Sequence, residues 1–314
     1  MRPDVRTFLD YLAEAGYPAI ETQRPQDARA SMIASKDLVD LPMGELKTAT
    51  RLAIPSPDGD IPAMLLDPRA SRPAGPVVLW FHGGGFVTGG ILTHQSLCAE
   101  VARQLDLPVV LLDYRLAPEA PFPAAPIDAQ IAARWLASSP PELQRNVTGL
   151  VLAGDSSGGT LAIATAITLR DAPADVPVLA QLVIYPAVDE SKVYPSAEQF
   201  ATGHLLTKAG RNWYRDHYRP DRTDLRASPL LADLHDLPPA VVVTAGLDIV
   251  RDQGRAYAAA LITAGVPTTF REAKGNIHAF VLLRRAIPST QLDVAQAISA
   301  LQAVIDQPAN APTK

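Results

Sequence analysis

The sequence predicts an α/β protein, a mostly parallel sheet covered by helices on both faces. Three observations predict it. From about residue 76 onward, short apolar runs of strand length alternate with longer helical patterns. One of those runs leads into a Gly/Ser turn that opens directly into an Ala/Ile/Leu helix. Apolar residues make up 47% of the 314 residues and charged residues 19%, below the roughly 25% of an average domain, so there is enough core to bury a sheet on two sides.

The elements follow in order. Residues 1–45 carry a helical pattern in which Val5, Phe8, Leu9 and Leu12 recur at i, i+3, i+4 and i+7, then loops rich in Pro, Gln and Asp. Leu52–Ile54 runs into Pro-Asp-Gly and returns as Ile61–Leu66, which reads as a hairpin. The alternation then begins: a strand at Pro76–Phe81, a helix marked by Leu97, Val101, Ala102 and Leu105, a strand at Leu107–Asp113 and a helix at Asp128–Ala137. It continues with strand Gly149–Ala153, helix Gly159–Leu169, and strands at Val178–Tyr185 and Ala240–Ala245. Helix Arg255–Ala264, strand Thr268–Glu272 and helix Leu292–Ile305 complete it. Between 187 and 225 no strand appears, and Trp213, Tyr214, His217 and Tyr218 stand in a helical stretch. The expected organisation is an accessory layer from 1–45 and 187–225 over a core made of 46–186 and 226–314. Phe8, Leu9 and Leu12 are expected to pack on the insertion, above the carboxyl ends of the strands. The polar tail from Gln307 onward is expected to fray.

Composition excludes several classes. Lys and Arg number 28 against 33 Asp and Glu, a net charge of −5, so no basic stripe is available for nucleic acid. No apolar run approaches the ~20 residues of a membrane span, and no secretory segment is seen, which places the chain in the cytoplasm. Cys98 is the single cysteine, which rules out an internal disulfide and Cys-rich zinc sites, and it reads as a buried small hydrophobe. No H-E-x-x-H or Cys/His cluster occurs, so neither metal nor cofactor is expected. The 29 prolines, about twice the usual ~5%, are dispersed and read as turn-setters.

The chemistry centres on Gly154-Asp155-Ser156-Ser157-Gly158-Gly159, between a strand and a helix. A serine in so tight a turn needs small residues two before and two after it. Ser156 has Gly154 and Gly158, whereas Ser157 would place Asp155 at the crowded position. A serine hydroxyl needs a base, and the base needs an orienting acid. Of six histidines only His278 follows the candidate acids, which gives the chain order Ser, acid, His. For the acid, Asp248 lies just past a strand's carboxyl end, where catalytic groups gather. Asp252 lies a turn further on, where an acid complements a helix dipole, so Asp248 is preferred. His82-Gly83-Gly84-Gly85-Phe86 follows another strand. Its glycines allow close backbone approach, and Gly83, Gly84 and the N–H of Ser157 are the expected oxyanion donors.

Together with Asp113–Glu119, Pro121–Ala125, Tyr185-Pro186, Ser228-Pro229-Leu230 and Leu237-Pro238-Pro239, these motifs resemble the microbial hormone-sensitive-lipase-like esterases (family IV) over roughly residues 48–306. The resemblance implies an α/β-hydrolase core with a helical cap. It also implies carboxylesterase activity on short- to medium-chain esters without a cofactor, and frequent homodimers formed through an edge strand. The chain departs from the family in four places. Ser157 and Thr160 stand where Ala and Asn are common, no proline follows Asp248, and Ala279 stands where Gly is common. A hydroxyl at Ser157 is expected to alter the entrance to the oxyanion site. Arg115 and Glu119 read as a pair bracing a nearby loop. The same triad would serve an amidase, lactonase or thioesterase. A non-catalytic small-molecule receptor on this scaffold is the remaining alternative, and the retention of Ser156, Asp248 and His278 argues against it.

Overall fold

The computed structural model describes residues 1–307; most of the tail expected to fray, from residue 308, lies outside the described residues. Two helices open the chain, α1 (Pro3–Ala15) and α2 (Pro25–Val39), followed by the hairpin β1 (Thr48–Ile54) and β2 (Ile61–Asp67). Then come β3 (Gly75–Phe81), α3 (Ile91–Leu105), β4 (Val109–Leu112), α4 (Ala124–Ala137), β5 (Val147–Asp155), α5 (Ser157–Asp171) and β6 (Val178–Ile184). The insertion holds α6 (Pro195–Gln199) and α7 (Lys208–Tyr218). The chain continues with β7 (Ala240–Leu247), α8 (Arg251–Thr263), β8 (Thr268–Ile277) and α9 (Thr290–Ile305).

The eight strands form one sheet in the order β1-β2-β4-β3-β5-β6-β7-β8. β1 with β2 and β2 with β4 are antiparallel, and every other pairing is parallel. Residue alternation assigns the two faces. Val77, Leu79 and Phe81 of β3 face the side covered by α4 and α5, in one apolar cluster with Ala129, Ala133 and Leu161, which Leu261 of α8 extends further along the sheet. Val78 and Trp80 point the other way, into the cluster that holds Leu97 and Val101 of α3 and Ile298 and Leu301 of α9. This is the predicted α/β architecture, covered on both faces. Among the described residues no helix is long and apolar enough to cross a membrane.

Three features differ from the sequence reading. α4 begins at Ala124 instead of Asp128, because Pro126 falls within the first turn, where its missing N–H costs no helical bond. β8 runs on through Ile277, carried past a left-handed Gly275 (φ 74°). The stripe on α1 does not meet the insertion. Val5 and Phe8, with Leu9 and Leu12, pack on Ile277, Leu283 and Ile287 beside the end of β8, and Arg2 is held there by Asp293 (2.5 Å). The part of the N-terminal segment that touches the insertion is instead Ile20–Ala28, where Trp213 Nε1 donates to the Gln23 carbonyl (3.1 Å).

Arg115 and Glu119 are not partners. Arg115 pairs with the buried Asp128 (2.7 Å) and with Asp58 (2.8 Å), while Glu119 pairs with Arg29 of α2 (2.7 Å). A second link runs from the end of α2 into the core. Asp40 accepts two hydrogen bonds from the buried Arg284 (2.7 and 2.8 Å), which also donates to Ser96.

Candidate active site

β5 ends at Asp155 and α5 begins at Ser157, so Ser156 alone makes the turn, with φ 53° and ψ −121°. That conformation, unusual for a residue with a side chain, lifts Oγ clear of the strand end. The surrounding space explains the two glycines. A Cβ on Gly158 would overlap the Phe81 carbonyl, and one on Gly154 would overlap the Gly158 backbone. Ser156 N–H is anchored on the carbonyl of Ile184 (2.8 Å) in the neighbouring strand.

His278 follows β8 immediately, and its Nε2 lies 2.8 Å from Ser156 Oγ. Its Nδ1 lies 2.6 Å from Asp248 Oδ2, and Val250 N–H donates to the other oxygen of that carboxylate (3.0 Å). Asp248 and His278 are both buried. The three groups come from the loops after β5, β7 and β8, all at the carboxyl edge of the sheet. Asp252 sits elsewhere. It opens α8, accepts from Ser196 N–H (2.9 Å) and pairs with Arg251. Ala279 adopts φ 61°, the left-handed conformation for which glycine is suited, so this departure from the family costs about 1–2 kcal/mol of backbone strain.

The glycine loop requires one correction. Gly83 was expected to donate to an oxyanion, but its N–H already donates to Asp155 Oδ1 (3.0 Å). His94 Nε2 lies 3.2 Å from the same nitrogen and 3.3 Å from the carboxylate. Burial alone would raise the Asp155 pKa, but His94 and the Gly83 N–H outweigh it and hold the carboxyl below its usual range. His82, pushed down to about 3 by burial and by His94, donates from Nδ1 to the Gly83 carbonyl (2.7 Å). Gly83 is therefore the anchored root of the loop. Among the described residues the N–H groups of Gly84 and Gly85 meet no protein acceptor. Ser157 opens α5, so its N–H has none within the helix. Among the expected donors the sequence reading did not name Gly85, whose N–H is one of those left free. Its signal was present in the run of three glycines, but which N–H groups remain free depends on Asp155 folding back beneath the first. The Ser157 hydroxyl is buried and has no hydrogen-bond partner among the described residues. No group of three or more His, Cys, Asp or Glu side chains among the described residues is arranged to hold a metal ion.

A β-sheet whose carboxyl edge presents a serine on a strand–helix turn, a histidine and an aspartate defines an α/β hydrolase. Residues 78–282 match the α/β-hydrolase-fold family model. The chain is 37% identical to a carboxylic ester hydrolase of Mycobacterium tuberculosis over 81% of its own length and 70% of that protein's. It is 32% identical to the ethyl acetate hydrolase of Pseudomonas putida over 96% and 98%. Among solved structures, an ester hydrolase from the metagenome of Lake Arreo, complexed with a bipyridine phosphonate derivative, superposes with a TM-score of 0.89 at 36% identity, covering 96% and 98% of the two chains. A thermostable esterase from Pseudomonas putida superposes at 0.90 and 31%, covering 98% of each. The chain belongs to the α/β-hydrolase family, among the microbial hormone-sensitive-lipase-like esterases.

Proposed function

We propose that this protein is a serine carboxylesterase acting on short- to medium-chain esters through an acyl-enzyme on Ser156. The observation that carries the reading is the unbroken chain Ser156 Oγ–His278–Asp248, with spacings of 2.8 and 2.6 Å. His278 accepts the hydroxyl proton as Oγ attacks the ester carbonyl, then passes it to the departing alcohol. Water repeats the sequence on the acyl-enzyme and regenerates the hydroxyl. Asp248 fixes the imidazole with Nδ1–H toward the carboxylate, leaving Nε2 to act as base. The N–H groups of Gly84, Gly85 and Ser157, the last at the N-terminus of α5, receive the developing oxyanion. Residues 1–45 and 187–225 form a cap over a core of 46–186 and 226–314. The contact between Trp213 and Gln23 supports this division. A small-molecule ester as the partner, cytoplasmic residence and pairing of copies belong to the same proposal.

A fluorophosphonate tests the reading. One equivalent is expected to attach to Ser156 and to abolish ester turnover, with intact-mass and peptide mapping as the measurement. Label on Ser157, or full esterase activity in Ser156→Ala, would overturn it.

A further inference from the structure

The loop that carries the free N–H groups is built from residues with little conformational preference of their own. Gly84 sits at φ 122° and Gly85 at φ 60°. Two consecutive glycines at positive φ can rotate their peptide planes at little cost, so donors aimed at one point need an outside restraint. From below, the loop is rooted by Gly83 on Asp155 and by the Thr88 hydroxyl on the Gly84 carbonyl (3.1 Å). From above, the restraint comes from α7 of the insertion. The space that a side chain on Gly85 would occupy is filled by the ring and Cβ of Tyr214. One turn further along the same helix face, the Tyr218 ring stacks on Phe86, with centroids 3.8 Å apart and planes 11° from parallel. Arg29 of α2 closes the far end, its Nε donating to the Val87 carbonyl (2.7 Å).

The helix that delivers Tyr214 is itself well defined. Thr207 caps it by accepting the Gly210 N–H (2.9 Å), and Arg219 ends it at φ 52° before Pro220. Trp213, the neighbour of Tyr214, ties it to Gln23. Tyr214 thus sits on a short, doubly capped helix and presses on the peptide whose direction matters most to the site.

We infer that Tyr214 is a positioning residue: its ring, packed on Gly85, sets the aim of the Gly84 and Gly85 N–H groups, so that the insertion completes the oxyanion site as well as covering it. This rests on the reading of Ser156 as an esterase nucleophile. It assigns to a residue outside the core a part in the chemical step, through the backbone that it holds.

The test compares an aryl acetate with its thionoacetate, in which sulfur replaces the carbonyl oxygen. Sulfur is larger and a weaker hydrogen-bond acceptor, so the ester-to-thionoester ratio of kcat/KM reports on the aim of the donors. Tyr214→Ala is expected to lower kcat for the ester by about 100-fold, on the scale of losing one oxyanion donor. KM should change by less than about threefold, and the ratio should collapse. Tyr214→Phe, which keeps the ring atoms that touch Gly85, should restore most of both. Tyr214→Leu, which keeps Cβ and Cγ, should fall between them and serves if the alanine variant does not fold by circular dichroism. A wild-type ratio in a folded alanine or leucine variant overturns the inference, as does a rise in KM alone, which would make Tyr214 a wall of the acyl pocket. Failure of the underlying reading looks different: wild type then turns over no ester, or Ser156→Ala retains turnover.

Discussion

Asp248→Asn is expected to lower kcat for ester hydrolysis by about 10⁴-fold while leaving the fold intact. The reason is directional. A carboxylate 2.6 Å from His278 Nδ1 can only accept, so the imidazole proton sits on Nδ1 and Nε2 faces Ser156 Oγ with a lone pair. An asparagine of the same shape can turn its NH₂ toward the ring, which moves the proton to Nε2 and leaves the serine without a base. The same change at Asp252 is expected to alter kcat by less than about threefold. That carboxylate is occupied by Arg251 and the Ser196 N–H, away from the imidazole. Steady-state kinetics on one aryl ester, with thermal unfolding as the control for folding, decides between them. A larger loss at Asp252 than at Asp248 would move the acid.

The largest expected effect on stability involves none of those side chains. Arg284→Leu should destabilise the protein by about 3–5 kcal/mol, because it leaves the Asp40 carboxylate buried without its partner. Arg284 is 2% exposed and Asp40 4%, so water replaces little of what is lost. The pair joins residues 244 positions apart in sequence and fixes the end of α2 against the segment that leads to α9. The double variant Arg284→Leu/Asp40→Leu should recover most of the loss, since two apolar groups of similar volume need no charge compensation. Urea unfolding of the four proteins measures this. Additive losses in the double variant would show that each side chain acts through separate contacts.

How much of this was legible in the sequence depends on the range of the interaction. The strands were readable because a buried parallel strand leaves a continuous apolar run, as Val77–Phe81 does. The turn at Ser156 was readable because the steric demand falls on residues two away, and both are glycine. His278 and Asp248 followed from chain order and strand ends. What sequence spacing could not supply were the partners of side chains that reach across the molecule. Arg115 and Glu119 look like a local pair, yet each found a partner 13 or 90 residues away. The stripe Val5-Phe8-Leu9-Leu12 announces burial without naming the surface, and Ile277, Leu283 and Ile287 exist as one surface only after β8 is in the sheet. The occupation of the Gly83 N–H was hidden for the same reason, because the carboxylate that accepts from it lies 72 residues further on.

Cys98 lies on α3 with its thiol sealed against the sheet, and burial pushes its pKa well up. As the single sulfhydryl in the chain, it makes the protein its own reporter of breathing motions. A disulfide-exchange reagent can react only in those moments when α3 parts from the strands beneath it. With reagent in excess and reclosing slow, the modification rate becomes the opening frequency of that layer. At lower reagent concentration it becomes the opening equilibrium. The kinetics of one sulfur atom would then separate how often this half of the sandwich opens from how long it stays open, with no probe added to the molecule.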